Sequence, residues 1–218
     1  MSQVSTQPLP IPRERIGEGV RHGLRDVLGP DAWSRLPEAV RERFAESAGA
    51  ACYAGAFEVV RASTLGRVFA WIGTLVGTPV APRVEDNVSA RVRVVPDADG
   101  VAWNREYHWA DGKRHLVRST KVVTDEGRLI EKLPARLCMP LDTFEDGGVL
   151  HFVSRGYYFD LGFGLRLWLP NLISPGVTHV EHIDLDHGWF RFTMTVTHPV
   201  LGEVFFQTGR FCAAEELP

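Results

Sequence analysis

One stretch constrains the fold more than any other. From Val177 to Phe211 the chain reads VTHVEHIDLDHGWFRFTMTVTHPVLGEVFFQTGRF, alternating with period two and broken at His187-Gly188 and again from Pro199 to Gly202. Period two marks strands that bury one face. A two-residue turn at His187-Gly188 pairs Leu185 with Phe190, Ile183 with Phe192, Glu181 with Met194 and His179 with Val196 on the apolar face, with Asp184 opposite Arg191 on the solvent face. Past Pro199, Val196 meets Phe205, Met194 meets Gln207, and the Phe192 ring lies over Gly209. A slip of one residue would pair Ile183 with Arg191 and mix the two sets. On this register His179, Glu181 and Gln207 are polar residues facing the core.

Upstream, the period is two from Val88 onward. Pairing Val88–Pro96 with the strand from Val101 to Trp109 across DADG sets Val94 against Trp103, Val92 against Arg105 and Ala90 against Tyr107, with Arg91 opposite Glu106 outside. A two-residue turn at Asp111-Gly112 then places Leu116 beside Tyr107, Arg118 beside Arg105 and Thr120 beside Trp103, so two arginines face inward. The turn at TDEG brings Glu131 to the same face. After EDGG, the stretch from Val149 to Leu161 is open: odd positions inward would bring Arg155 and Tyr157 inside, even positions Tyr158 and Asp160. Nine or ten consecutive hairpin-linked strands close most simply as an up-and-down antiparallel β-barrel, lipocalin-like, because closure leaves no open edges.

Before the sheet, LGPDAWSRLPEAVRERFAES has Pro30 and Pro37 at helix-opening positions, with Leu36, Val40 and Phe44 on one face. Ile16, Val20, Leu24 and Val27 suggest a helix weakened by Gly17, Gly19 and Gly23, and the stripe Leu65, Phe69, Ile72 and Val76 a short lid helix. The expected organisation is a disordered leader over residues 1–12, a helical segment over 13–48 and a barrel domain over 51–214. A net charge of -3 with no basic face argues against nucleic-acid binding. Cys52, Cys138 and Cys212, without a CxxC, suggest buried thiols in a reducing compartment. The N-terminus lacks an apolar signal core and the apolar run Val68 to Val76 is far below the ~20 residues of a membrane span, so a cytoplasmic protein without a transmembrane segment is expected.

Three stretches carry a family resemblance: LGPDAWSRLPEAVRERF, the strand WNREY, and the run from LRLWLP through GWFRFTMTVTHPVLGEVFFQTGRF. They resemble a bacterial family, domain of unknown function 4166, over roughly residues 27–211. The resemblance implies a fold and a kind of neighbour, since family members occur alone or attached to Rossmann-type oxidoreductases; it implies no activity. Its matched positions include Trp103, Arg105 and Glu131. The chain has no GxGxxG, so no cofactor is expected, and nicotinamide chemistry would belong to a separate oxidoreductase.

Chemistry is expected inside the barrel. Trp103, Tyr107, Trp109, Phe192, Met194, Phe205, Gln207 and Tyr157 would line a ligand site. Arg105, Arg118, Glu131, His179 and Glu181 would carry its chemistry. Buried charges must pair with each other or meet a ligand, so the charges are read either as a structural ion network or as an anchor for an anion. Two guanidinium groups would take a carboxylate, enolate or phosphate in fork geometry. In His179-Val-Glu181-His182 the strand puts His182 on the face opposite His179 and Glu181, so no metal is expected there. The expected ligand is a hydrophobic small molecule with an anionic or carbonyl end. In the catalytic form, Glu181 or His179 would move a proton in a cofactor-independent isomerisation or cyclisation. The alternatives are a non-catalytic carrier or accessory domain working with an oxidoreductase, and a structural module whose barrel is packed shut.

Overall fold

Where each side chain points is decided by the turns, and the computed structural model describes them over residues 23–45, 49–64, 66–68 and 83–214. The leader, residues 13–22 of the Arg13–Leu28 segment, and the stripe residues Leu65, Phe69, Ile72 and Val76 lie outside the described residues. The strands are β1 (Ala51–Ala62), β2 (Val88–Pro96), β3 (Val101–His108), β4 (Arg114–Val123), β5 (Leu129–Lys132), β6 (Leu137–Asp146), β7 (Val149–Ser154), β8 (Tyr158–Gly162), β9 (Leu165–Trp168), β10 (Val177–Asp184), β11 (Trp189–His198) and β12 (Gly202–Ala213). They hydrogen-bond in the order β5-β4-β3-β2-β1-β12-β11-β10-β7-β6, and β6 returns to β5. The result is a closed antiparallel barrel of 10 strands. Among the described strands only the hairpin β8–β9 stands outside the ring, joined to β6 through Leu137–Phe159 and Cys138–Tyr158. Its outer strand β9 is exposed along its whole length, and Phe163 at the tip is fully exposed with φ of 51°.

Alternation produces the core. In β2, Val88, Ala90, Val92 and Val94 are buried while Ser89 and Arg93 are exposed. The expected pairs Val94–Trp103, Val92–Arg105 and Ala90–Tyr107 are present, as are Val196–Phe205, Met194–Gln207 and Phe192–Gly209. Two other hairpins differ from expectation by one residue, for the same reason. Between β3 and β4 the Trp109 amide bonds the Lys113 carbonyl, so Ala110, Asp111 and Gly112 form a three-residue loop with Gly112 at φ 77°. Between β10 and β11 the Leu185 amide bonds the Trp189 carbonyl around Asp186, His187 and Gly188, with φ 62° at His187 and 77° at Gly188. A loop one residue longer than a type I′ turn moves the whole partner strand by one and turns its faces over. Trp103 therefore pairs with Ser119 and Arg105 with Val117, while Ile183 pairs with Arg191 and His182 with Phe192. In β7 the even positions Leu150, Phe152 and Ser154 are inward, yet Tyr157 is also buried in the core because Gly156, at φ 115°, breaks the alternation.

The helices are short: α1 (Leu24–Leu28), α2 (Pro30–Arg35) and α3 (Glu38–Phe44). Pro30 opens α2 and Pro37 caps α3, as their fixed φ favours. Leu36 and Val40 are buried, and Phe44 stacks on Trp103 at 5.4 Å, so α3 covers the end of the barrel where β1 begins. Among the described residues no helix is long and apolar enough to cross a membrane. Cys52 and Cys138 are buried and Cys212 is partly buried, all as free thiols.

The seam between β1 and β12 is held close by two glycines, Gly55 and Gly209. A Cβ on Gly209 would stand 2.3 Å from the Ala56 carbonyl oxygen and 2.8 Å from the Phe57 Cα, both backbone atoms that cannot step aside. Gly209→Ala should destabilise the protein by about 1–3 kcal/mol in urea unfolding. Gly147→Ala, at a turn with open space around it, should cost only the strain of its positive φ, about 1 kcal/mol. A smaller loss at Gly209 than at Gly147 would contradict a tight β1–β12 seam.

Candidate functional site

The barrel interior carries an ion cluster built from three adjacent strands. Arg105 projects from β3, Ser119 and Lys121 from β4, and Glu131 from β5, which pairs directly with Lys121. The Lys121 Nζ lies 3.0 Å from Glu131 Oε2, and Arg105 Nη2 lies 4.0 Å from Glu131 Oε1. Arg105 Nη1 donates to Ser119 Oγ at 3.1 Å. Aromatic rings enclose both cations: Lys121 Nζ is 5.6 Å from the Trp103 ring and 5.2 Å from Phe152, and the Arg105 guanidinium is 5.8 Å from Phe192. Burial alone would push the Glu131 carboxyl up, but the charges of Lys121 and Arg105 and hydrogen bonds from Ser119 and Lys121 outweigh it and hold the group below its ordinary range. Burial lowers the Lys121 ammonium, against the opposing pull of Glu131. Two cations thus share one carboxylate in a largely apolar surround.

Across the interior from these strands stands His182 of β10, 3% exposed. Phe44 meets it edge-on at 4.9 Å and Phe192 at 5.4 Å, and its buried Nδ1 has no hydrogen-bond partner among the described residues. Burial first, then the cations Arg43, Lys121 and Arg105, hold the imidazole well below its ordinary value, so it is neutral at neutral pH. Between His182, Arg105, Trp103 and Phe192 lies a cavity of about 10 Å³, room for one water molecule. Towards the opposite end the interior is closed by packing: Tyr107 is stacked on Phe57 at 4.9 Å and on Trp109 at 5.8 Å, and donates to Gln207 Oε1 at 3.3 Å. The Tyr157 hydroxyl and Thr178 Oγ1 are 2.6 Å apart, and burial pushes that phenol up to about 12.

A family model described as Domain of unknown function (DUF4166) matches residues 36–211. The chain belongs to this family. No curated protein and no solved structure matches it.

In this DUF4166 barrel the expected site residues divide into two groups. Trp103, Arg105, Tyr107, Trp109, Glu131, Phe192, Met194, Phe205, Gln207 and Tyr157 are buried, and Arg105 and Glu131 do meet. Arg118 does not join them. The three-residue loop turns it outward, where it is more than half exposed and donates to Asp97 Oδ2 at 2.9 Å, beside Thr120. Lys121 takes the second cationic place, a residue that a two-residue turn would set on the face opposite Arg118 and Thr120. His179 and Glu181 are likewise on the outer wall, because the one-residue shift of β10 exchanges them for Thr178, Val180 and His182. Outside, they meet His151 of β7. His182 and Lys121 turn inward through loops one residue longer than a type I′ turn, and Gly112 and Gly188 at the last loop positions are the sequence signals of a glycine-ended three-residue loop.

Two variants test this site. Glu131→Gln leaves Lys121 and Arg105 buried without a counter-charge and should cost about 3–5 kcal/mol in urea unfolding; a cost below about 1 kcal/mol would mean the cluster is hydrated and open. For His182 the sign follows from its lowered folded value: below about pH 6.5 the unfolded chain takes up a proton that the folded chain refuses, so stability is lost as pH falls through that point. His182→Leu should flatten stability against pH between about 7.5 and 5, by up to about 1.4 kcal/mol per pH unit. Glu131 acts only at lower pH, below the ordinary 4.5 of a glutamate. An unchanged slope in His182→Leu would show that the imidazole is protonated in the fold.

Proposed function

We propose that the barrel holds a small hydrophobic molecule by an anionic or carbonyl end, with Arg105 and Lys121 as the anchor and the aromatic rings around them as the apolar wall. The observation that carries this reading is the charge imbalance: among the described residues two largely enclosed cations face one buried carboxylate, beside a neutral imidazole whose Nδ1 has no partner there and a water-sized cavity. An enclosed cation without a full counter-charge is stabilised by any anion that reaches it. A ligand larger than water needs more room, and Phe44 of α3, resting on Trp103 and His182, is the side chain whose withdrawal would supply it.

Catalysis is a weaker extension. The proton-moving pair Glu181 and His179 faces away from the cavity, which leaves His182 and Glu131 as interior titratable groups, one neutral and one ion-paired. The small cavity favours a second reading: a non-catalytic accessory module for a separate oxidoreductase, in which the ion cluster only fixes strand register.

Thermal shift with decanoate and decanol separates the two. On the ligand-holding reading decanoate raises Tm, decanol does so much less, Phe44→Ala strengthens the decanoate effect and Lys121→Met abolishes it. No response to decanoate in either wild type or Phe44→Ala would remove the ligand-holding reading and leave the accessory module.

A further inference from the structure

The outer wall of the same strand pair carries a second group of chemistry-bearing side chains. His151 of β7 pairs directly with Glu181 of β10, and His179 lies two residues along on the same face. We propose that His151, His179 and Glu181 form a divalent-metal site, with zinc as the ion that their donor set fits best. His151 Nδ1 is 3.0 Å from His179 Nε2 and 3.6 Å from Glu181 Oε1, and the three donor atoms all lie within 4.8 Å of one another. Atoms bound at about 2.0–2.1 Å to one tetrahedral ion are separated by about 3.3 Å. The observed spacings fall on either side of that value, so small side-chain rotations suffice and the backbone need not move.

Hydrogen bonding explains the arrangement less well than an ion does. Both His179 and Glu181 approach the same atom, His151 Nδ1, which carries at most one proton and can serve one acceptor well. A cation placed among them serves all three. Two imidazoles and a carboxylate are the donors of zinc rather than of magnesium or calcium, which take oxygen sets. The scaffold is also suitable, since two donors stand on directly paired residues and Phe144 stacks on the His151 ring at 4.7 Å and 12°, fixing its plane. The His151 side chain is 11% exposed whereas that of Glu181 is 31% exposed, so one side of the site opens to solvent and leaves a fourth position for water. His182, on the opposite face of β10, is no part of this site, which stands or falls independently of the barrel interior.

The test uses the full chain without an affinity tag, titrated with Zn²⁺ alone by calorimetry, with metal content measured after dialysis. One zinc per chain should remain bound. His179→Ala and Glu181→Gln should each weaken binding by at least about 10-fold, while His187→Ala, in the exposed β10–β11 loop, should bind as wild type does. Because His151 is nearly buried, its substitution risks the fold, so the two more accessible variants carry the test, with circular dichroism confirming that each is folded. Co²⁺ in place of zinc should give visible absorption bands of a low-coordinate site, absent in His179→Ala. No retained zinc, or binding unaltered in both His179→Ala and Glu181→Gln, would overturn the proposal, as would equal loss in His187→Ala.

Discussion

In a closed antiparallel ring the direction of every side chain is inherited from the neighbouring strand. Residues paired across a ladder share a face, so once β2 has placed Val92 inside, Arg105 must be inside, and Val117 after it. The bond from β5 to β6 closes the circle and makes these assignments mutually binding. Irregularities are then needed wherever the alternation has to be reset. The bulge at Glu58 lets Phe57 and Val60 both face inward on β1 while Glu58 itself reaches outward to Arg210 and Arg191. Gly156 does the same service for Tyr157.

This constraint explains both what could be read from the sequence and what could not. The β2–β3 and β11–β12 pairings were legible because one face of each strand is unmistakably apolar: Val88, Ala90, Val92 and Val94 against Ser89, Arg91 and Arg93. In β10 neither alternation is. One set is Val177, His179, Glu181 and Ile183, the other Thr178, Val180, His182 and Asp184, so the first mixes two polar with two apolar residues and the second holds three polar residues and one apolar. β4 has the same ambiguity, since Leu116 is exposed and Lys121 is enclosed. Where composition does not choose a face, loop length does, and Asp111-Gly112 fits a two-residue turn as readily as the end of a three-residue one. The family, the barrel and most of the aromatic lining survive that ambiguity. The identity of the second interior cation and the facing of the His179–Glu181 pair do not.

The ion cluster shows why a barrel of this size can retain charge in its core. Ten strands enclose more width than the eight that side chains alone fill. Arginine and lysine occupy that width with long stems while presenting their charged ends to Glu131 and Ser119, and the rings of Trp103, Phe152 and Phe192 supply their negative faces to the same cations. Desolvation is then offset by several modest attractions rather than one strong bond. The offset is incomplete on the positive side, where two cations share the single carboxylate of Glu131.

The two faces of β10 illustrate how much hangs on one residue of loop. With a two-residue turn, His179 and Glu181 would enter an aromatic interior beside Met194 and Val196, an acid–base pair with no neighbouring cation on its own strand, and His182 would stand in solvent. The three-residue loop instead buries one imidazole singly, where burial and nearby cations keep it neutral, and sets the other two donors against His151 on a wall that solvent reaches. A neutral imidazole suits a cavity already rich in positive charge, because a protonated one would add a third cation to Arg105 and Lys121. Grouped imidazole and carboxylate donors suit the outer wall, because an ion and its displaced waters can exchange there without opening the ring. The same backbone ladder therefore separates an interior in which two cations share one carboxylate from an outer wall of grouped imidazole and carboxylate donors by the thickness of one strand.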